Sequence, residues 1–192
     1  LLMYQEQNFK FDNRSVQFDL TEFLLERLKY YMKEKGIRPD IINASLTNNN
    51  INNINEIYKK SFALNKIINK ESGLDIISSY KRAANIIENE LKEQKLELAD
   101  TADPGIFKND FEINLFKKIK ELKKYFSSLD KDENYETTLD ILKTAKPIIF
   151  AFFDNIIVND NDEIIRKNRL ELLQMFCKTL ENYINFSKIE SA

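Results

Sequence analysis

Two clusters of polar residues are placed to do chemistry by recognition. Lys81, Arg82 and Asn85 stand in the run Tyr80–Ile86, and Arg166, Asn168 and Arg169 stand near the start of the run that leads to Leu173. A guanidinium is a planar fork of donors that pairs bidentately with phosphate or carboxylate, and an Asn amide both donates and accepts. Such residues suit phosphates and base edges. Nothing comparable points to catalysis. The chain has no His, which removes the commonest general base and the commonest metal ligand. Its one cysteine, Cys177, cannot form an internal disulfide or a zinc cluster. Lying between Phe176 and Leu180 with no His to activate it, Cys177 reads as packing. There is no Gly-rich phosphate loop, no GxSxG and no HExxH. Asp160 and Asp162 lack the Gly and terminal Glu of a calcium loop, so helix capping accounts for them better. No catalytic residue, metal ligand or cofactor site is assigned.

Each cluster has a structural reading beside the binding one. Arg169 falls inside the apolar stripe Ile165, Leu172, Leu173, Phe176, Leu180 and Ile184. A guanidinium there must be paired, because an unpaired buried charge is strongly unfavourable. Asp154, on the preceding apolar segment, is the expected carboxylate. The alternative aims Arg169 through a cleft at a bound partner. Arg27 lies similarly within the stripe of the first helix, where its stem can snorkel to solvent. Arg82, Asn85 and Asn89 share a helical face opposite the Ile/Ala side, which is either solvated or a phosphate and base contact. The basic run Lys117, Lys118, Lys120, Lys123 and Lys124 reads first as a solvated face.

The elements that must position these residues are helical. Three Gly and three Pro in 192 residues are too few for the turns of an all-β fold. The pattern predicts an all-α bundle of about six to eight helices. The first starts at Asp19, with Glu22 completing a capping box, shows the stripe Leu20, Phe23, Leu24, Leu28 and Tyr31, and stops at Gly36. Pro39 opens a short helix. A third covers roughly residues 55–70 and is broken by Ser72-Gly73; a fourth runs from about Leu74 to Lys92. Residues 93–108, with Asp103-Pro104-Gly105, read as a hinge or insertion. Asn109 and Glu112 open a fifth helix as a capping box. The sixth begins near Asp132, and Pro147 predicts a break at Thr144–Lys146. The last runs from about Asp162 to Phe186. Residues 1–17 read as a connector from a preceding domain, and 18–189 as one helical domain.

Hydrophobic and charged contents of 43% and 31% are ordinary for a globular chain. The Asn-rich run 48–55 is read as an effect of AT-rich coding. The longest apolar run, Ile148–Phe153, is far short of the roughly 20 residues that span a bilayer, and no signal peptide is visible. A cytoplasmic protein with no membrane partner is expected, and Leu1 in place of an initiator Met fits a segment of something longer. The net charge of −2 means that any RNA contact relies on a local patch.

Five stretches, in order, resemble the C-terminal region of the bacterial glycyl-tRNA synthetase beta subunit. They are Phe23–Arg38 (FLLERLKYYMKEKGIR), Tyr80–Ile86 (YKRAANI), Phe152–Val158 (FFDNIIV), Asn168–Leu173 (NRLELL) and Phe186–Ile189 (FSKI). The resemblance implies an anticodon-binding helical domain of the DALR type, as in class I synthetases such as the arginyl enzyme. It implies a tRNA-Gly partner and a separate alpha subunit holding the glycine and ATP site. The whole enzyme would then use ATP to attach glycine to its tRNA, with no cofactor in this stretch. Lys81, Arg82, Asn85, Arg166, Asn168 and Arg169 are the expected tRNA contacts. The competing readings are a helical protein-interaction module and the anticodon domain of another synthetase.

Overall fold

The computed structural model describes residues 13–47, 53–68, 71–94, 97–128 and 135–190. They form helices α1 (Asn13–Glu34), α2 (Pro39–Ser45), α3 (Ile54–Ile68), α4 (Glu71–Gln94), α5 (Asp110–Ser127), α6 (Tyr135–Lys143), α7 (Lys146–Asn155) and α8 (Glu163–Glu181). Short 3-10 turns cover Pro104–Ile106 and Phe186–Lys188, and no strand occurs among the described residues. None of these helices is long and apolar enough to cross a membrane.

Local signals explain most boundaries. Gly36 ends α1 in the left-handed region at φ 79°, where only glycine is unstrained. Pro39 opens α2. Asn109 accepts from the backbone N–H groups of Phe111 and Glu112, and the Glu112 carboxylate accepts from the Asn109 N–H, so the expected capping box is complete. Asp162 caps α8 by accepting from Ile164 and Ile165. The break at Pro147 also occurs: α6 stops at Lys143 and α7 restarts at Lys146, because proline cannot supply the next helical N–H.

Three expectations need correction. Helix α1 begins at Asn13, not Asp19. No Gly or Pro interrupts residues 13–18, so the helix continues through them, and the Asp19/Glu22 pattern lies within it. Helix α4 begins at Glu71, so Ser72 and Gly73 sit in its first turn, where N–H groups have no intrahelical partner to lose. Helix α8 closes at Glu181, and a turn at Asn182–Tyr183 carries the chain to Phe186. The expected start of the sixth helix at Asp132, most of the Asn-rich run and residues 1–12 lie outside the described residues.

Helix α8 is the central strut. Nearly every position from Asn168 to Leu180 is buried, as befits a helix enclosed on all sides. Helix α4 packs along it, α5 against α7 and α8, and α3 against α2, α4 and α6. Phe152 and Phe176 are the largest fully buried side chains; each stabilises the fold by roughly 1.5–3 kcal/mol through burial alone. Cys177 is buried too, and burial pushes its thiol up to about 12, which leaves it inert.

Helix α1 differs. Leu25 and Leu28 touch the core and Met32 enters it, whereas Leu20, Phe23, Leu24 and Tyr31 of the expected stripe are exposed.

Candidate nucleic-acid interface

The expected contacts fall into two groups. On α4, Arg82 and Asn85 are exposed and Lys81 is half-buried. The Arg82 guanidinium lies over the Phe153 ring of α7, 4.3 Å from its centroid. That contact restricts the side chain while leaving it accessible, and adds a cation–π attraction. The neighbouring Tyr80 points the opposite way, into the core, and its hydroxyl donates to Glu181 at the end of α8. Burial and that carboxylate push the Tyr80 phenol above its usual range. Tyr80 pairs with the far end of α8, while Ala99, just beyond α4, bonds Glu171. The two helices therefore run in opposite directions.

The second group lies at the start of α8. Arg166, Lys167 and Asn168 line an open groove of about 590 Å³, together with Ile106 and Ile164; Glu163 and Glu171 complete its wall. Lys167 is exposed and Arg166 half-buried. Asn168 and Arg169 face inward, at 3% and 7% exposure. The Asn168 amide clamps the backbone of Asp103, accepting from its N–H at 2.7 Å and donating to its carbonyl at 3.0 Å. The Arg169 guanidinium donates to Glu112 at 2.7 Å, to Asp160 at 2.6 Å and to the Ile157 carbonyl at 2.8 Å.

The expected Asp154 partner for Arg169 is therefore wrong. Asp154 is exposed near the end of α7, while Glu112 is 1% exposed and faces Arg169 across the core. Helical spacing indicated that Arg169 needs an acid. It could not reveal that the Glu of the α5 capping box would serve both purposes. One Glu112 oxygen accepts from the Lys108 and Asn109 N–H groups, and the other takes Arg169. Asp160 is held below its usual range by the Asp162 N–H and, against partial burial, by Arg169. The pair joins α5, α8 and the 156–162 loop at one point.

The described part of the segment expected as a hinge or insertion (93–108) is strapped to α8 over 97–108. Besides the Asn168 clamp, Glu171 accepts from the Ala99 N–H, Gln174 donates to the Ala99 carbonyl, and Lys178 pairs with Asp100. The Ala102 N–H meets the Met175 sulfur at 3.1 Å. The polar stripe of α8 that straps this connector was visible in the sequence only as unassigned polarity. Of the basic run on α5, Lys118 is buried against Glu121, while Lys117, Lys120, Lys123 and Lys124 are exposed.

Several known proteins share this sequence pattern. The glycine–tRNA ligase beta subunit of Clostridioides difficile (strain 630) is 31% identical over 179 residues, covering 93% of this chain and 25% of the relative. That of Sulfurihydrogenibium sp. (strain YO3AOP1) is 32% identical over 186 residues, 96% of this chain and 26% of the relative. That of Rickettsia bellii (strain OSU 85-389) is 35% identical over 170 residues, 88% of this chain and 24% of the relative. The chain thus spans about a quarter of the length of these relatives. A family model described as the DALR anticodon binding domain matches residues 76–191, which takes in most of α4, the strapped connector, the capping-box pair and the whole of α8. The match and the all-helical architecture agree: the chain belongs to the DALR anticodon binding domain family.

Proposed function

We propose that this chain is the tRNA-binding part of a glycine–tRNA ligase beta subunit and reads the anticodon loop of tRNA-Gly. The reading is carried by one coincidence: the chain has both the anticodon-binding match over 76–191 and alignments to glycine–tRNA ligase beta subunits that take in 88–96% of it. These relatives favour the glycine enzyme over the arginyl-type alternative and over a protein-interaction module. On this reading the whole enzyme attaches glycine to its tRNA at the expense of ATP, in the cytoplasm. The ATP and glycine sites lie on a separate alpha subunit, reached through the full beta subunit.

Unstacked anticodon bases are read by hydrogen bonds to their edges and by stacking, while phosphate contacts set the register. Arg82, Asn85 and Lys81 on α4, and Arg166 on α8, are the proposed contacts. Asn168 and Arg169, bonded inside the chain, are proposed to act by holding the groove wall in place. Arg82 is the sharpest test. Its side chain is accessible and lies over Phe153, so ordering it on RNA forfeits little freedom.

The deciding experiment compares binding of tRNA-Gly and an anticodon-swapped tRNA at two salt concentrations. Base reading predicts a preference for the glycine anticodon that persists at the higher salt. Arg82→Ala is expected to weaken tRNA-Gly binding by about tenfold with an unchanged melting curve. Equal, salt-sensitive binding to both tRNAs overturns the anticodon reading, because backbone charge alone gives that result.

A further inference from the structure

A second surface, N-terminal to the family match, combines aromatic rings with cations. Tyr31 at the end of α1 meets Tyr58 of α3 with ring centroids 6.1 Å apart, and Tyr58 meets Phe62 at 6.2 Å and 21° between planes. The result is a row of three rings across two helices. Its outer members are open to solvent, Tyr31 at 46% and Phe62 at 42% exposure. Each outer ring carries a cation: Lys35 lies 5.4 Å from the Tyr31 centroid and Lys66 lies 5.0 Å from that of Phe62. One turn before this row on α1, Arg27 lies over the exposed Phe23 ring.

The charge around the row is net positive. Residues 26–35 hold four cations and two acids, and α3 holds three cations and one acid; with Lys60, which is buried over Tyr183, set aside, the local net is +3 on a chain whose total is −2. Two of those acids are already engaged: Glu26 with Lys29, and Glu56 with Lys60. An apolar protein partner needs rings but not this ring of lysines. An unpaired nucleic-acid strand needs both, because every base has a face to stack and every nucleotide carries a phosphate.

We propose that Tyr31, Tyr58 and Phe62, with Lys35 and Lys66 beside them, form a stacking platform for unpaired bases of bound RNA, separate from the α4 and α8 surfaces. The proposal rests on the reading of the chain as a tRNA binder and adds a second site of contact. Bases stack on the exposed edge of the row while the lysines swing from the rings to the adjacent phosphates. Such contact tolerates any base, so the platform contributes affinity and not anticodon choice.

Fluorescence anisotropy with a labelled single-stranded oligouridine, a duplex RNA of equal length and tRNA-Gly tests it on the 192-residue chain. Replacing both outer rings (Tyr31→Ala with Phe62→Ala) is expected to weaken single-strand binding by about tenfold or more and to leave duplex binding unchanged. Tyr31→Phe with Phe62→Tyr keeps both rings and is expected to bind like the parent. If the alanine pair fails to fold by circular dichroism, Tyr31→Leu with Phe62→Leu retains apolar packing, removes the π-faces and must show the same selective loss. Equal loss on duplex and single strand, or no loss at all, overturns the platform. A parent that discriminates anticodons while the ring variants bind identically removes the platform and leaves the functional reading intact. A parent that binds none of the three RNAs removes both.

Discussion

At the scale of single residues, Arg169 shows how a binding-type residue becomes a structural one. Its guanidinium touches two carboxylates and a carbonyl, and removing it strands Glu112, at 1% exposure, without its cation. Breaking a buried pair from one side costs about 3–5 kcal/mol, because the remaining charge stays desolvated. Arg169→Ala is therefore expected to lower the urea midpoint severely, whereas Asp154→Ala, at an exposed position, is expected to leave the unfolding free energy within about 0.5 kcal/mol of the parent. Equal midpoints for Arg169→Ala and the parent would mean that Glu112 is satisfied without the arginine.

At the scale of elements, the connector 97–108 is bonded to α8 at Ala99, Asp100, Ala102 and Asp103, although it has almost no regular structure. Its order comes from α8 side chains bonding its backbone, chiefly the two-bond Asn168 clamp on Asp103. Asn168→Leu keeps the bulk but removes both bonds to the backbone of Asp103, at about 0.5–1.5 kcal/mol for each. The expected outcome is faster amide hydrogen exchange at Ala102 and Asp103, with exchange in α5 less affected. Uniform acceleration across all helices would show that the clamp supports global stability and not this strap alone. The same arrangement implies that loss of Asn168 alters the groove bounded by Arg166 and Ile106.

At the scale of the whole molecule, α2 is latched to the C-terminal end of the described chain. Asp40 on α2 accepts from Arg38 and from the Glu190 N–H, and Arg38 also donates to the Glu190 carbonyl. Asn185 closes the same seam by donating to the Ala44 carbonyl. Burial alone would raise the Asp40 carboxyl, but Arg38 and the Glu190 N–H outweigh it and hold it below its ordinary value of 3.8. A carboxyl depressed in the folded state binds fewer protons there than in the unfolded state. Its stabilisation is therefore complete above the ordinary value and is lost as pH falls through the folded one. The stability gap between the parent and Asp40→Asn is expected to be constant near neutrality and to shrink below about pH 4. A gap that stays constant into strong acid would show that the latch does not depend on the charge of Asp40.

The sequence by itself determined the class and most of the punctuation. Too few glycines and prolines for sheets, the capping residues at Asn109 and Asp162, Gly36 and Pro147 all act locally, so their effects could be read without knowing the fold. The five ordered stretches likewise carried the family. Only the tertiary structure decided where the polar residues lie and what they touch. Arg82 and Arg169 share a residue type and an amphipathic helical setting, yet one lies accessible over Phe153 and the other is enclosed by Glu112 and Asp160. Periodicity states which side of a helix a residue occupies; what lies opposite depends on neighbours distant in sequence. For the same reason Asp154 looked like the partner of Arg169 along the chain and Glu112, 57 residues away, proved to be the partner in space. The ring row of Tyr31, Tyr58 and Phe62 exists only because α1 and α3 come together.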